Sequence, residues 1–79
     1  MDEKERAQKD IEKLKSIMEE FKGFGYRDKY QNAYLWAENY LKDAVHYYEK
    51  GEYFAAFGCA NYAYGIIDGI LITEGKKEG

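Results

Sequence analysis

Apolar residues recur at Ala7, Ile11, Leu14, Met18 and Phe21, and Ile17 widens the stripe. Steps of three and four residues place these side chains on one face of a helix. The positions between them are Lys, Glu, Asp and Gln. Asp2/Arg6, Glu5/Lys9 and Lys15/Glu19 stand four residues apart, where opposite charges support a helix by about 0.2–0.5 kcal/mol each. The pattern predicts a first helix over residues 2–22. Gly23-Phe24-Gly25 is expected to end it, with Gly23 left-handed past the helix end and Phe24 folded back onto the core.

A second helix is predicted over residues 28–50, with Asp28 as its N-cap. Tyr30, Ala33, Ala37, Leu41, Ala44 and Tyr48 form its inner stripe, beside Tyr34 and Val45. Gln31, Glu38, Asn39, Lys42, His46 and Glu49 lie opposite. Gly51 is the stop. Only Gly51-Glu52 separates this pattern from the next, and so short a connection makes the two helices antiparallel neighbours.

The third helix, predicted over residues 52–73, is apolar or small almost all round and is expected to be the most buried. Ala56, Cys59, Ala60, Ala63, Ile66, Ile67 and Ile70 form a broad face. Gly58, Gly65 and Gly69 lie on an adjoining one, where each glycine costs a helix interior roughly 1 kcal/mol against alanine. They mark either a close approach of another backbone or room for bulky tyrosine rings. Residues 74–79 read as a flexible tail. The expected fold is all-α, a single up-down-up three-helix bundle over residues 1–79.

Composition narrows the function classes. The chain has 79 residues and a net charge of -3. Leu, Ile, Val and Phe are scarce, but nine tyrosines make up the deficit. One cysteine excludes an internal disulfide, and one His with one Cys cannot build a zinc site without carboxylates or a second chain. No uninterrupted apolar run reaches the ~18–20 residues of a membrane span. The N-terminus lacks the apolar stretch of a signal peptide. No segment carries the one-signed basic footprint of a nucleic-acid binder. A cytoplasmic protein is expected, with no cofactor, no nucleic-acid partner and no membrane.

Ala37-Glu38-Asn39-Tyr40-Leu41-Lys42-Asp43-Ala44, Tyr47-Tyr48-Glu49-Lys50-Gly51-Glu52-Tyr53, Ala56, and Tyr62-Ala63-Tyr64-Gly65-Ile66-Ile67-Asp68 together resemble a family of short archaeal proteins catalogued only as a domain of unknown function. The most specific part is Tyr-Ala-x-Gly-x-x-Asp at Tyr62, Ala63, Gly65 and Asp68. The resemblance implies a closed three-helix bundle and no assigned activity. It also implies that related segments are joined to nucleotidyltransferase-like domains, as accessory modules. Helical-hairpin families are a weaker likeness: there is no second copy of a 34-residue repeat. The Arg and His spacing of toxin-type helical nucleases is also missing, since no Arg precedes His46 in its helix after Arg27.

Catalytic chemistry is poorly supplied. His46 falls on a polar face with no nucleophile placed beside it. Ser16 and Thr73 are the only hydroxyl residues besides tyrosine. Cys59 on an apolar face reads as an inert thiol. Glu19, Glu20, Glu38, Asp43 and Glu49 read as solvated faces. Gly23-Phe24-Gly25 lacks the Lys-Ser/Thr of a phosphate loop.

Two clusters remain. Trp36, Tyr40 and Tyr47 lie along the edge of the second helix, with Leu35 nearby. They either line the seam with the first helix or form an exposed patch for a partner, since Trp and Tyr anchor interfaces. Asn61, Tyr62 and Asp68 form a polar site among apolar neighbours. Asp68 either accepts structural hydrogen bonds or faces a ligand groove with Asn61. The expected function is a non-enzymatic interaction or structural module, as a homodimer or with another protein. The alternative is a small-molecule or nucleotide-binding accessory domain to a nucleotidyltransferase-like partner.

Overall fold

Asp2 opens α1 (Glu3–Gly23): its carboxylate accepts a hydrogen bond from the Glu5 amide at 2.8 Å, satisfying a donor that a helix start leaves free. This computed structural model describes residues 2–77. α2 (Tyr26–Lys29), α3 (Gln31–Glu49) and α4 (Tyr53–Thr73) follow. The described chain is all-helical, with three long helices and one short one, and contains no strand.

α1 buries Ala7, Ile11, Leu14, Ile17, Met18 and Phe21, the stripe its periodicity predicts with Ile17 widening it. Its outer charges choose other partners than the expected ones. Arg6 lies over the Phe57 ring at 4.4 Å, and Glu19 pairs with Lys22 at 3.0 Å rather than with Lys15.

The connection after α1 departs most from expectation. Gly25, not Gly23, is left-handed (φ 80°), and Gly23 is still helical. Phe24 is exposed instead of folding onto the core, its ring stacked on Tyr26 and covered by Lys76. Asp28 caps nothing, because it lies inside α2, and α3 begins only at Gln31. The break falls at Tyr30 (φ -121°, ψ 51°), whose amide closes α2 by donating to the Tyr26 carbonyl at 2.8 Å. Phe21 explains the arrangement. Tyr26, Tyr30 and Tyr34 all pack on its ring, at centroid distances of 5.7, 6.2 and 6.1 Å. Three tyrosines spaced by four mimic an unbroken helical stripe while converging on one ring.

The α3–α4 turn behaves as expected. Gly51 is left-handed (φ 79°), and the Gly51 and Glu52 amides donate to the Tyr48 and Tyr47 carbonyls at 3.0 and 2.9 Å. These two bonds satisfy carbonyls left free at the end of α3.

Large side chains of α1 pack against small ones of its neighbours. α3 contributes Tyr34, Ala37 and Ala44, and α4 contributes Ala56, Ala60, Ala63, Ile67 and Leu71. The alanines let α3 and α4 come close, while Leu14 and Phe21 fill the space between. Along the α1–α4 seam Arg6 meets Phe57, Asp10 meets Asn61 and Lys13 meets Tyr64. Between α1 and α3 the order is reversed: Phe21 meets Tyr34, and Gln8 accepts from the Tyr48 hydroxyl.

α4 has the fewest exposed residues of the three long helices, as its composition predicts, yet it is not enclosed all round. One side is buried, but Phe54, Gly58, Tyr62, Gly65, Gly69 and Ile72 on the other face solvent. Each long helix here has two long neighbours, so one side of each remains uncovered. By length and composition alone α4 is also apolar enough to cross a membrane. The helix does not fray at once after Thr73: Glu74 pairs with Lys29 at 2.7 Å, and Lys77 reaches Asp68. Residues 78 and 79 of the expected tail lie outside the described residues.

Candidate interaction surface

Trp36 and Tyr40 stand one turn apart on the side of α3 that faces α4. Their rings stack with centroids 6.0 Å apart, and Tyr40 meets Tyr62 of α4 at 4.7 Å. Ala33 and Ile66 complete a shallow groove. The seam these aromatics line is therefore with α4, not with α1. Trp36 is 59% exposed and Tyr62 60%, so only Tyr40 is partly enclosed. Leu35 is exposed too, but it points away from the core on α3. Tyr47 lies two turns further along α3, beside His46 and a hollow formed with Glu3 and Gly51–Ala55. The four residues expected as one patch are thus split, and Tyr62 joins the part that holds Trp36 and Tyr40.

Asn61 and Asp68 lie on the flank of α4 that faces α1, away from Tyr62. The Asn61 side-chain amide donates to Asp10 at 3.0 Å and to the Phe57 carbonyl at 2.9 Å, tying α4 to α1. Asp68 Oδ1 is closed off from water. Lys77 Nζ, 2.6 Å away, meets it as an ion-pair partner outside hydrogen-bond geometry. The same ammonium donates to the Tyr64 hydroxyl at 2.7 Å. Asp68 first, then Tyr64, hold Lys77 well above the ordinary lysine range. Asn61, Tyr62 and Asp68 are therefore not brought into one site.

Elsewhere the chemistry is sparse. His46 is exposed. Cys59 is half-buried, and burial followed by the nearby Asp43 charge pushes its thiol up, which keeps the reactive thiolate scarce at neutral pH. Among the described residues no group of three or more His, Cys, Asp and Glu could hold a metal ion. A shallow cleft between α1 and α3, lined by Gln8, Glu12, Lys15, Tyr48 and Glu49, mixes charges of both signs without converging on a point.

Sequence reasoning missed Phe54, which is 77% exposed, and the outward direction of the α4 glycines. A side chain added at Gly58, Gly65 or Gly69 would meet nothing within 4 Å. Within the chain the glycines therefore neither admit a neighbouring backbone nor make room for tyrosine rings. Their spacing with Phe54, Tyr62 and Ile72 was the available signal: all six fall on one strip of the helix.

The sequence profile of a family described as protein of unknown function, DUF357, matches residues 5–73. The chain belongs to that family. The DUF357 match runs from the first turn of α1 to the last residue of α4, so the aromatic groove and both faces of α4 lie inside it. Comparison with curated proteins gives no match, and neither does comparison with solved structures.

Proposed function

We propose that this DUF357 chain is a non-enzymatic interaction module that offers its α3/α4 face to a protein partner. In this reading the three long helices form an up-down-up bundle. α1 serves as the solvated back, and the aromatic side serves as the front. The observation that carries it is the Trp36–Tyr40–Tyr62 cluster, stacked but largely open to solvent. Ordering large rings at a surface has a cost in water, and exposed apolar patches of this kind mark docking sites more often than chance. The sparse catalytic chemistry of the rest of the chain agrees with it.

The test places a photo-crosslinking amino acid at position 36, and for comparison at position 12 on the charged face of α1, in cells that produce the chain. Discrete adducts from position 36 and none from position 12 are expected. Absence of any adduct at position 36 would remove the proposal. Titration of Trp36 fluorescence with nucleoside triphosphates is expected to be flat. Saturable quenching would replace this reading with that of a nucleotide-binding accessory domain.

A further inference from the structure

We propose that the outer face of α4 pairs antiparallel with α4 of a second copy, about a twofold axis passing between residues 63 and 64. The inference rests on the interaction-module reading and names the partner. Its foundation is the large exposed apolar surface of α4 together with the adjoining edge of α3. Phe54, Tyr62 and the adjoining Trp36 are 77%, 60% and 59% exposed. At roughly 150–250 Å² per aromatic side chain, they alone present on the order of 300–500 Å². Ile72, Ile66 and the three open glycines carry this toward the roughly 800 Å² that each partner contributes to a standard interface.

The order of residues along that face says what fits it. A twofold axis requires that when residue i meets residue j, j also meets i. About an axis between residues 63 and 64, Tyr62 falls opposite Gly65 of the second copy, Gly58 opposite Gly69, and Phe54 opposite Thr73, next to Ile72. Tyr62 thus meets a gap, and Phe54 lies against the far end of the partner helix. Inside one chain these glycines have no such use. They lie mid-helix with φ outside the left-handed region, and a Cβ there would meet nothing within 4 Å. Each still costs roughly 1 kcal/mol against alanine. Pairing supplies the missing reason, because glycine lets two helix backbones approach.

Charge argues against other occupants. Residues 53–73 contain no Lys or Arg, and their only carboxylate, Asp68, is turned toward α1 and held by Lys77. A charged partner would find nothing there to pair with. A helix that lies on a membrane surface carries Lys and Arg along its polar face, and residues 53–73 have neither.

The experiment is sedimentation velocity of the full chain from about 10 µM to about 1 mM. A concentration-dependent monomer–dimer equilibrium is expected. Gly65→Leu and Tyr62→Ala should each raise the dimer dissociation constant at least about tenfold, with helicity by circular dichroism unchanged. Glu12→Ala on the α1 face should leave it unaltered. A chain that stays monomeric at the top concentration overturns the inference, as does a dimer indifferent to both α4 substitutions. So does a monomer that cosediments with phosphatidylcholine/phosphatidylglycerol vesicles. A monomeric chain that still yields a heavier adduct from position 36 overturns self-pairing alone. Failure to form any adduct there overturns the interaction reading beneath it.

Discussion

α1 and α4 are each 21 residues long, lie side by side and bury one stripe apiece. Their outer faces are opposites. That of α1 is an alternation of Lys, Glu, Asp and Gln, a surface at ease in water. That of α4 holds Phe54, Tyr62 and Ile72 separated by Gly58, Gly65 and Gly69, with no charge in the stripe. The α1 glycine is at the end of the helix, whereas the α4 glycines are inside it. Burial of the inner stripes accounts for the fold. Of these two helices, α4 alone has an outer stripe without a physical reason inside the monomer, and that unexplained cost is what points to a partner.

The largest effect that can break this comparison comes from removing one ring from each kind of surface. Phe21 is fully buried beneath three tyrosines, and Phe54 is 77% exposed. Phe21→Ala should cost about 3–5 kcal/mol, a large share of the ~5–15 kcal/mol that a domain has in total. Phe54→Ala should stay within about 0.5 kcal/mol in dilute solution. Urea denaturation at low protein concentration reads both. A loss of about 2 kcal/mol or more at Phe54 would mean that the outer face of α4 is core after all.

Glycine substitutions sharpen the comparison next. Gly65→Ala and Gly69→Ala should each stabilise the dilute monomer by about 0.5–1 kcal/mol, since a methyl group there gains helix propensity and strikes nothing. The same change at Gly51 should destabilise, although the space around it is just as open, because its φ of 79° disfavours an L side chain. Opposite signs at equally open positions separate glycines required by a turn from glycines the monomer does not need. The same denaturation curves decide it.

What the sequence made legible follows from periodicity. The α1 stripe, the Gly51 stop and the inner alanines of α3 and α4 could be read because each depends on local spacing. The α2 break could not, because Tyr26, Tyr30 and Tyr34 keep helical spacing while their common partner, Phe21, belongs to another helix. The exposure of α4 was hidden for a related reason: an all-apolar helix predicts burial only if neighbours surround it, and of the described helices only α1 and α3 pack against it. The Trp36–Tyr40 stack lay within reach of the i, i+4 rule, whereas the approach of Tyr62 depends on how α3 and α4 cross. Asn61 and Asp68 were recognisable as polar groups needing partners, but those partners, Asp10 and Lys77, are distant in sequence or past the helix end.

The α1-facing flank of α4 gives a smaller effect. Asp68→Asn should loosen the segment after the helix, because Lys77 loses its carboxylate while the Lys76 amide remains tied to Leu71 by one hydrogen bond of 2.8 Å. Faster amide exchange at Lys76 and Lys77, with α4 itself unchanged, is the expected reading. Exchange that quickens throughout α4 would show that Asp68 holds the helix and not merely its end.

The smallest expected effect is electrostatic and concerns the pair that ties α2 to the end of α4. Lys29 and Glu74 meet at 2.7 Å. The Lys29 ammonium holds the Glu74 carboxyl below its ordinary range, and Glu74 in turn holds Lys29 above its own. A carboxyl lowered by folding adds stability above its unfolded value, and that stability disappears as the pH falls through the folded one. A lysine raised by folding adds stability below its unfolded value, which is lost as the pH rises through the folded one. The pair should therefore contribute between roughly pH 4 and pH 10 and vanish at both ends. Both groups lie at the surface, so salt should weaken the contribution. The measurement is the difference in Tm between the native chain and Glu74→Gln across pH. It should be near zero in strong acid, open on crossing the carboxylate range, hold level through neutrality and close again in alkali. It should also shrink in about 1 M salt, where the screening length is about 3 Å. A difference that persists unchanged into strong acid would mean that Glu74 acts through packing and not through its charge, and the link between α2 and α4 would then belong with the buried stripes instead of the outer faces.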